Sequence, residues 1–157
     1  MTGTLITQLM TELNGFITQD RLNDREKQWA INQVSDAQLQ AQLKQLSTTD
    51  IKIIAQLAQA DSTRAKALPQ PTALSQATIS RGLTKLAKLG LVVKFRSLKN
   101  NKEILVRLTP AGQQVAELHV KLDAAIAAKA QVIAADYSPT ELARFVELMH
   151  RISQIKP

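Results

Sequence analysis

The order of turn signals and apolar runs between residues 75 and 110 constrains the fold more than any other feature of the sequence. Ser75 is a favourable N-cap for the helix that follows it, and Gly90 suits the left-handed residue that ends such a helix. Two β-rich runs come next, 91–96 and 104–108, with a polar turn between them. This order predicts a helix followed directly by a β-hairpin.

The residues before this unit predict the first half of a helix-turn-helix. Ser47 and Asp50 have the spacing of a capping box, which starts a helix with one buried face. A second, short helix is expected over 63–68, where Pro69 and Pro71 prevent its continuation. The residues expected to be buried in the first of these helices are Ile51, Ile54, Ala55, Leu57 and Ala58.

Amphipathic helices are also expected on both sides of the central segment. Ser35 and Gln38 resemble a capping box, whereas residues 20–35 fit no clean period and suit either helix or loop. A Thr-Pro pair at 109–110 starts one long helix, and a capping box over 138–141 starts the last. The apolar faces comprise Leu5, Ile6, Leu9, Met10, Leu13, Phe16 and Ile17; Leu39, Leu43 and Leu46; Val115, Leu118, Leu122, Ile126 and Ile133; and Leu142, Phe145, Val146, Met149 and Ile152.

Positive charge is concentrated in the middle of the chain. The whole chain has a formal net charge of +7, whereas residues 51–110 alone carry 11 basic and 2 acidic side chains, a net of +9. Residues 1–50 have a net charge of −2, and residues 111–157 have a net charge of zero. A field localised in this way fits a surface that contacts phosphates. The alternative interpretation is a basic face that only meets solvent.

The helix over 76–89 separates an apolar sector from a polar one. At about 100° per residue, Ile79, Leu83 and Leu86 lie close together and predict the buried face. The opposite sector is small or hydroxylated near its start and basic toward its end, as a DNA recognition helix requires. An ordinary exposed amphipathic helix is the alternative. The polar sector contains Arg81, which suits guanine, and Ala77, Thr78, Thr84, Lys85 and Lys88. Gln76, at the start of the helix, suits adenine.

A β-hairpin placed directly after the second helix of a helix-turn-helix is a winged helix. The tip of this wing and its first strand are polar and basic, which suits an adjacent minor groove or a line of phosphates. A turn kept in water by its lysines is the alternative. The wing residues concerned are Lys94, Arg96, Lys99, Asn100, Asn101 and Lys102.

Three segments in this order resemble the core of the multiple antibiotic resistance regulator (MarR) family. They are LSQATISR at 74–81, LAKLGLV at 86–92 and LTPAG at 108–112, within a matching region of about residues 47–115. The resemblance implies a homodimer held together by its first and last helices. It also implies a double-stranded DNA operator of pseudo-palindromic sequence, bound by a repressor that a small-molecule effector releases.

The resemblance also assigns roles to individual residues. The family's wing usually contains an Asp-x-Arg motif, but here the tip reads Asn-Asn-Lys-Glu at 100–103, so that only Lys99 and Lys102 remain to hold phosphates. The segment before residue 47 is longer than is usual in the family. The positions that contact bases and phosphates in the family are occupied here by Ser75, Gln76, Thr78, Ser80 and Arg81.

The expected organisation is a single domain, mainly α with a small β-hairpin. Dimerisation helices are expected over 1–46 and 110–157, with a winged-helix lobe over 47–109. The sequence has no apolar run of about 18 residues and no basic segment at its N-terminus, so a cytoplasmic location and no membrane partner are expected.

Enzymatic and metal chemistry have little support in the sequence. Cysteine is absent, which excludes disulfides, thiolate ligands and thiol redox switches. His119 and His150 have Glu117 and Glu147 nearby, but two histidines without cysteine make a poor zinc set. No cofactor or metal is therefore expected, and neither zinc nor thiol oxidants should switch the protein.

Two other functions compete with DNA binding. A winged-helix module that binds proteins would not need the arginine and small polar residues of 76–89 or the charge of 51–110. A small hydrolase or transferase would need a catalytic constellation or a glycine-rich phosphate loop, and the sequence offers neither. Trp29 and Tyr137 suit either a ligand pocket or ordinary packing.

Overall fold

The computed structural model describes residues 2–17 and 20–156. Residues 1, 18, 19 and 157, which the expected domain ranges include, lie outside the described part. The described residues form the following elements in chain order: α1 Thr2–Ile17, α2 Asp20–Asn32, α3 Ala37–Lys44, α4 Thr48–Leu57, β1 Thr63–Arg64, a 3₁₀ turn Ala65–Ala67, α5 Pro69–Thr72, α6 Gln76–Lys88, β2 Val92–Arg96, β3 Ile104–Leu108, α7 Pro110–Ala134 and α8 Pro139–Ser153. The prediction of a mainly α fold with a hairpin between the helices is confirmed.

Two compact units divide the chain, Met1–Val120 and Lys121–Pro157. The first contains the apolar core, whereas the described apolar side chains of the second are half-buried or exposed. The core of the first unit comprises Ile31, Leu39, Leu43, Leu46, Ile53, Ile54, Leu57, Leu68, Ile79, Leu83, Leu86, Leu91, Val92, Val106, Val115, Ala116 and Leu118.

The buried face of α4 differs from the predicted one by about one residue. Ile54 and Leu57 are buried as expected, but Ala58 is exposed because it is the C-cap residue, beyond the last helical turn. Ile53, which the periodicity did not single out, is fully buried. It packs against Gly82 of α6, where a side chain would meet the Ile53 Cδ1 atom at 2.5 Å. The missing side chain at Gly82 therefore lets α4 and α6 approach closely.

Both predicted capping boxes at 47–50 and 138–141 are confirmed. The Asp50 amide donates to Ser47 Oγ at 3.2 Å, and the Ser47 amide donates back to Asp50 Oδ2 at 2.9 Å. At α8, hydrogen bonds from the Ser138 backbone and side chain lower the pKa of Glu141 from its ordinary value. Because the folded-state pKa is depressed, this cap stabilises the fold above the ordinary carboxyl pKa and loses its effect as the pH falls through the folded-state pKa.

Several local predictions before α6 are wrong, and one segment that the sequence left open is settled. The N-cap of α3 is Asp36 and not Ser35, since the Asp36 carboxylate accepts from the Gln38 amide. Leu46 is buried but lies beyond α3, and residues 20–35 are helical through Asn32. The segment 63–68 is a short strand and a 3₁₀ turn, because it pairs with β3 instead of coiling. Pro69 starts α5 because proline is tolerated at the first position of a helix.

The predicted hairpin is confirmed and is extended by a third strand. β2 pairs antiparallel with β3, from Val92 opposite Leu108 to Arg96 opposite Ile104. β1 pairs with the other edge of β3, with Thr63 opposite Val106, so the strand order is β1-β3-β2. Through β1, the segment between α4 and α5 is hydrogen-bonded to β3 of the wing.

The predicted helix at the N-terminus is confirmed as α1, although its apolar face is mostly exposed. Leu9 and Leu13 are half-buried, while Leu5, Ile6, Met10 and Phe16 are exposed, and the side chain of Ile17 lies outside the described part. In the second unit, Leu142, Met149 and Ile152 are half-buried, and Ile126, Ile133, Phe145 and Val146 are exposed. Among the described residues, no helix is long and apolar enough to cross a membrane.

Candidate nucleic-acid interface

Both ends of α6 are fixed by specific hydrogen bonds. At its start, Ser75 is the N-cap as predicted, and its Oγ accepts from the Thr78 amide at 3.1 Å. At its end, Gly90 has a φ of 74°, the left-handed conformation predicted for it. The Leu91 amide donates to the Leu86 carbonyl at 2.9 Å, which completes a Schellman motif. The length and direction of α6 are thus defined by its own sequence.

Neighbouring segments also hold the C-terminal end of α6. Gln42 of α3 is buried, and its Nε2 donates to the Leu89 carbonyl at 2.6 Å. The Thr109 hydroxyl, at the start of α7, donates to the Gly90 carbonyl at 2.6 Å. These bonds satisfy carbonyls that the helix end leaves without intrahelical partners. The helix is therefore attached to α3 and α7 as well as to α4.

The buried and exposed faces of α6 follow the predicted periodicity. Ile79, Leu83 and Leu86 are buried in the core. Two residues of the polar sector, Thr78 and Lys85, are half-buried. The exposed residues of the candidate site at this helix are Ser75, Gln76, Ala77, Ser80, Arg81, Thr84 and Lys88.

A shallow groove of about 450 Å³ runs along the second half of this face. Gln45, which follows α3 and was not predicted for the site, forms part of it. Within the groove wall, the Thr84 hydroxyl donates to the Ser80 carbonyl at 3.0 Å, so its oxygen keeps an acceptor position for an outside donor. The lining residues are Gln45, Ser80, Arg81, Thr84, Lys85, Lys88 and Leu89.

Lys85 differs from the other basic residues of α6 because it makes an ion pair within the protein. Its Nζ lies 2.5 Å from Oδ2 of the buried Asp50. The periodicity placed Lys85 near the exposed face, but Asp50 lies 35 residues earlier in the chain and was identified only as a capping residue.

The wing residues are exposed, as a contact surface requires. Arg96, however, is folded back onto the turn, where its Nη1 donates to the Asn101 carbonyl at 2.6 Å. The Asn100 side chain accepts from the Lys102 amide at 3.1 Å and shapes the tip. Lys94, Lys99 and Lys102 are exposed to solvent, whereas Arg96 and Asn100 also stabilise the turn.

Sequence reasoning missed three residues of this basic region. Arg64 of β1 pairs with Glu103 of the wing at 3.1 Å, and Arg107 lies over the ring of Phe95 at 5.3 Å from its centroid. Leu98 is fully exposed at the wing tip, beside the lysines. The net charge of 51–110 included both arginines, but no local pattern distinguished them.

The residues considered for a metal site or a ligand pocket differ in their exposure. Among the described residues, no three of histidine, aspartate or glutamate lie in a group that suits a metal ion. His119 is half-buried and His150 is exposed. Trp29 is half-buried, and Tyr137 is exposed.

Comparison with protein families identifies the same region. Residues 49–126 match the family described as Winged helix DNA-binding domain. The uncharacterized HTH-type transcriptional regulator YhjH of Bacillus subtilis (strain 168) is 31% identical over 75 residues, which are 48% of this chain and 43% of that protein. The match therefore spans less than half the length of this relative.

Solved structures share the fold over nearly the whole chain. The adhesin competence repressor AdcR of Streptococcus pyogenes superposes with a TM-score of 0.66 at 16% identity, covering 96% of each chain. FabT of Streptococcus pneumoniae, solved in complex with DNA, gives a TM-score of 0.64 at 18% identity over 92% of this chain and 95% of that chain. The MarR family transcription regulator SP03579 gives 0.57 at 17% identity, over 96% and 93%. The predicted fold, with helices on both sides of a winged helix, is confirmed.

Proposed function

Residues 49–126 match the winged helix DNA-binding domain family and the chain has the fold of a solved MarR family regulator. From that premise we propose that this chain is a transcription regulator that binds a pseudo-palindromic operator as a homodimeric, ligand-responsive repressor. The winged helix regulators are not enzymes. The observation that carries the proposal is the face of α6, a helix fixed at both ends that exposes small, hydroxylated and basic residues and buries its apolar ones.

The proposed docking places α6 in the major groove. Its first turn exposes Ala77, whose small side chain lets the helix approach the base edges, and Gln76, whose longer side chain can reach them. Gln76 suits a bidentate contact with adenine, and Arg81 suits one with guanine. Ser75 and Ser80 supply hydroxyls for phosphates or bases, whereas the Thr84 hydroxyl, which donates to the Ser80 carbonyl, suits a base that donates to it. This division of roles is typical of a recognition helix.

The wing is proposed to hold the DNA backbone beside the groove. Lys99 and Lys102 extend from the tip, whereas the Arg96 guanidinium is already bonded to the turn. The wing therefore contributes mainly phosphate contacts, which carry affinity without sequence preference. This assignment agrees with the absence of the family's Asp-x-Arg motif from the tip.

The homodimer is proposed from the apolar residues that the helices at both chain ends leave in water. In α1, Leu5 and Phe16 are 65% and 71% exposed, and in α8, Phe145 and Val146 are 54% and 66% exposed. Burying one such Leu or Phe side chain is worth about 1.5–3 kcal/mol. We assign these helices, within 1–46 and 110–157, to dimerisation and residues 47–109 to DNA binding.

Replacing Leu5 and Phe145 together by glutamate is expected to abolish dimerisation. In sedimentation velocity at micromolar concentration, the unmodified protein should have twice the chain mass, and the double variant should have the mass of one chain or should unfold on dilution. Leu98→Glu is the matched control because it introduces the same charge at an exposed leucine of the wing, and it should remain dimeric. A single-chain mass for the unmodified protein would contradict the proposal.

The proposed function is tested by selecting fragments from a random duplex library with the purified protein and sequencing them. We expect an inverted repeat whose half-site centres lie about 10 base pairs apart, as two recognition helices related by a dimer axis require. The selected duplex should bind at least about 1000-fold more tightly than random DNA. A library without enrichment would overturn the proposal and favour a winged-helix module that binds proteins.

The effector and the cytoplasmic location belong to the proposal as well. Release of the operator by a small molecule is what the family resemblance implies, and its chemical class is left to ligand screening against the protein–DNA complex. Retention of the complex across such a screen would favour a repressor regulated by its concentration alone.

A further inference from the structure

Asp50 is a buried carboxylate at the junction of α4 and α6. Its side chain is 4% exposed, whereas the side chain of its partner Lys85 is 42% exposed. Oδ2 accepts from the Ser47 amide at 2.9 Å and from Lys85 Nζ at 2.5 Å. The same carboxylate therefore caps α4 and fixes one lysine of α6.

Pairing of Lys85 with Asp50 is more favourable than pairing of Lys85 with an anion outside the protein. A buried carboxylate that loses its cation carries a large desolvation cost without compensation. A phosphate that drew the Lys85 ammonium away would leave Asp50 in that state. The Lys85 side chain is thus partly exposed to solvent, but its charge is already neutralised by Asp50.

We propose that Asp50 is a positioning residue that holds Lys85 so that this lysine links α4 to α6. Because Asp50 neutralises the charge of Lys85, this lysine is not one of the residues that contact DNA phosphates. The second half of this proposal rests on the proposed function, because the number of basic residues of α6 that neutralise phosphates has a meaning only if α6 binds DNA. In this arrangement, the bond from Lys85 to Asp50 helps to orient α6 relative to α4. The exposed Lys88, three residues later on the same helix, contributes net charge to the groove.

The salt dependence of DNA binding measures this count directly. The slope of log K against log salt concentration changes by about 0.9 for each phosphate neutralised on duplex DNA. Lys85→Met should therefore leave the slope unchanged, whereas the matched variant Lys88→Met should reduce its magnitude by about one unit. Asp50→Asn should increase it by about one unit, because it frees the Lys85 charge and keeps an oxygen that accepts from the Ser47 amide.

A second measurement tests the ion pair without DNA. Acetylation of the folded protein by a limiting amount of an activated acetyl ester, with quantification by mass spectrometry, gives the relative rate at each lysine. Lys85 should react several-fold more slowly than Lys88, and Asp50→Asn should raise the rate at Lys85 and leave that at Lys88 unchanged. If Asp50→Asn does not fold, the proposal is tested by the acetylation rates of Lys85 and Lys88 in the unmodified protein and by the salt slope of DNA binding by Lys85→Met.

The two readouts separate failure of this proposal from failure of the proposed function. Absence of DNA binding by the unmodified protein would end the proposed function, and the labelling rates would still test the pair. A slope reduced by one unit in Lys85→Met would show that Lys85 contacts phosphate and would overturn the proposal. Equal labelling of Lys85 and Lys88 in the unmodified protein would overturn it as well.

Discussion

Replacing Gly112 by alanine is expected to lower the thermal unfolding midpoint by about 6–12 °C. An added Cβ at this position would clash with the Leu91 carbonyl oxygen, which is a backbone atom. The same oxygen accepts from the Thr109 amide at 3.0 Å, so α7 cannot move away without breaking that bond. Overpacking against a group that cannot move costs about 3 kcal/mol of unfolding free energy, the upper end of the usual range. Each kcal/mol shifts the unfolding midpoint of a chain this long by about 2–4 °C.

The matched control is Gly15→Ala in α1, where an added Cβ meets no atom of the described residues of the same chain within 4 Å. Alanine is more favourable than glycine inside a helix by about 0.5–1 kcal/mol, so this variant should melt at or above the temperature of the unmodified protein. Both are measured by circular dichroism at one protein concentration. A midpoint for Gly112→Ala within 2 °C of the unmodified protein, about the shift of 1 kcal/mol, would contradict the close approach of α7 to Leu91.

Replacing Arg81 by alanine is expected to cost about 1–3 kcal/mol of binding free energy on the selected operator, or about 5- to 150-fold in Kd. Arg81 is exposed on α6 and lines the groove, and none of the described residues forms an ion pair with it. Its loss should also relax the sequence preference, so the difference in Kd between selected and scrambled duplexes should shrink. Fluorescence anisotropy with both duplexes measures the two effects.

Lys102→Ala is the comparison variant on the wing. It should weaken binding to selected and scrambled duplexes alike and should lower the salt slope by about one unit, because a lysine at the tip holds phosphate only. If Arg81→Ala behaved in this same way, Arg81 would be a phosphate contact and its assignment to a base would be wrong.

Local features of the fold were predictable because they depend on residues within about four positions of one another. The caps at Ser47, Ser75 and Ser138 and the left-handed Gly90 each follow from one short pattern. Where two neighbouring residues compete for the same role, such patterns fail. Ser35 and Asp36 are both good caps, and only the geometry shows that Asp36 accepts from the helix amide.

Contacts between distant residues were not predictable from these patterns. β1 is two residues long, too short to show alternation of apolar and polar residues. It forms because Thr63 and Arg64 pair with residues of β3 about 40 positions later in the chain. The bond from Gln42 to Leu89 spans 47 residues, and its donor has the composition of an ordinary polar helix position. Packing in three dimensions decides such pairs.

The candidate site shows the same division. The period of the helix identified the exposed and buried faces of α6 correctly, because Ile79, Leu83 and Leu86 recur at helical spacing and are buried together on one side of the helix. The period did not distinguish Lys85 from Lys88, whose surroundings differ through Asp50. Likewise, the position of Arg96 on an exposed strand gave no sign that its side chain bonds the turn.

The central claim, that α6 docks in the major groove with Arg81 on a guanine, is tested most directly by altering the DNA. Each guanine of the selected half-site is replaced in turn by 7-deazaguanine, which lacks the N7 acceptor of the major groove. We expect one position where the replacement weakens binding by the unmodified protein and has no further effect on Arg81→Ala. If no replacement weakened binding by the unmodified protein, or if all effects were independent of Arg81, the proposed docking would be contradicted.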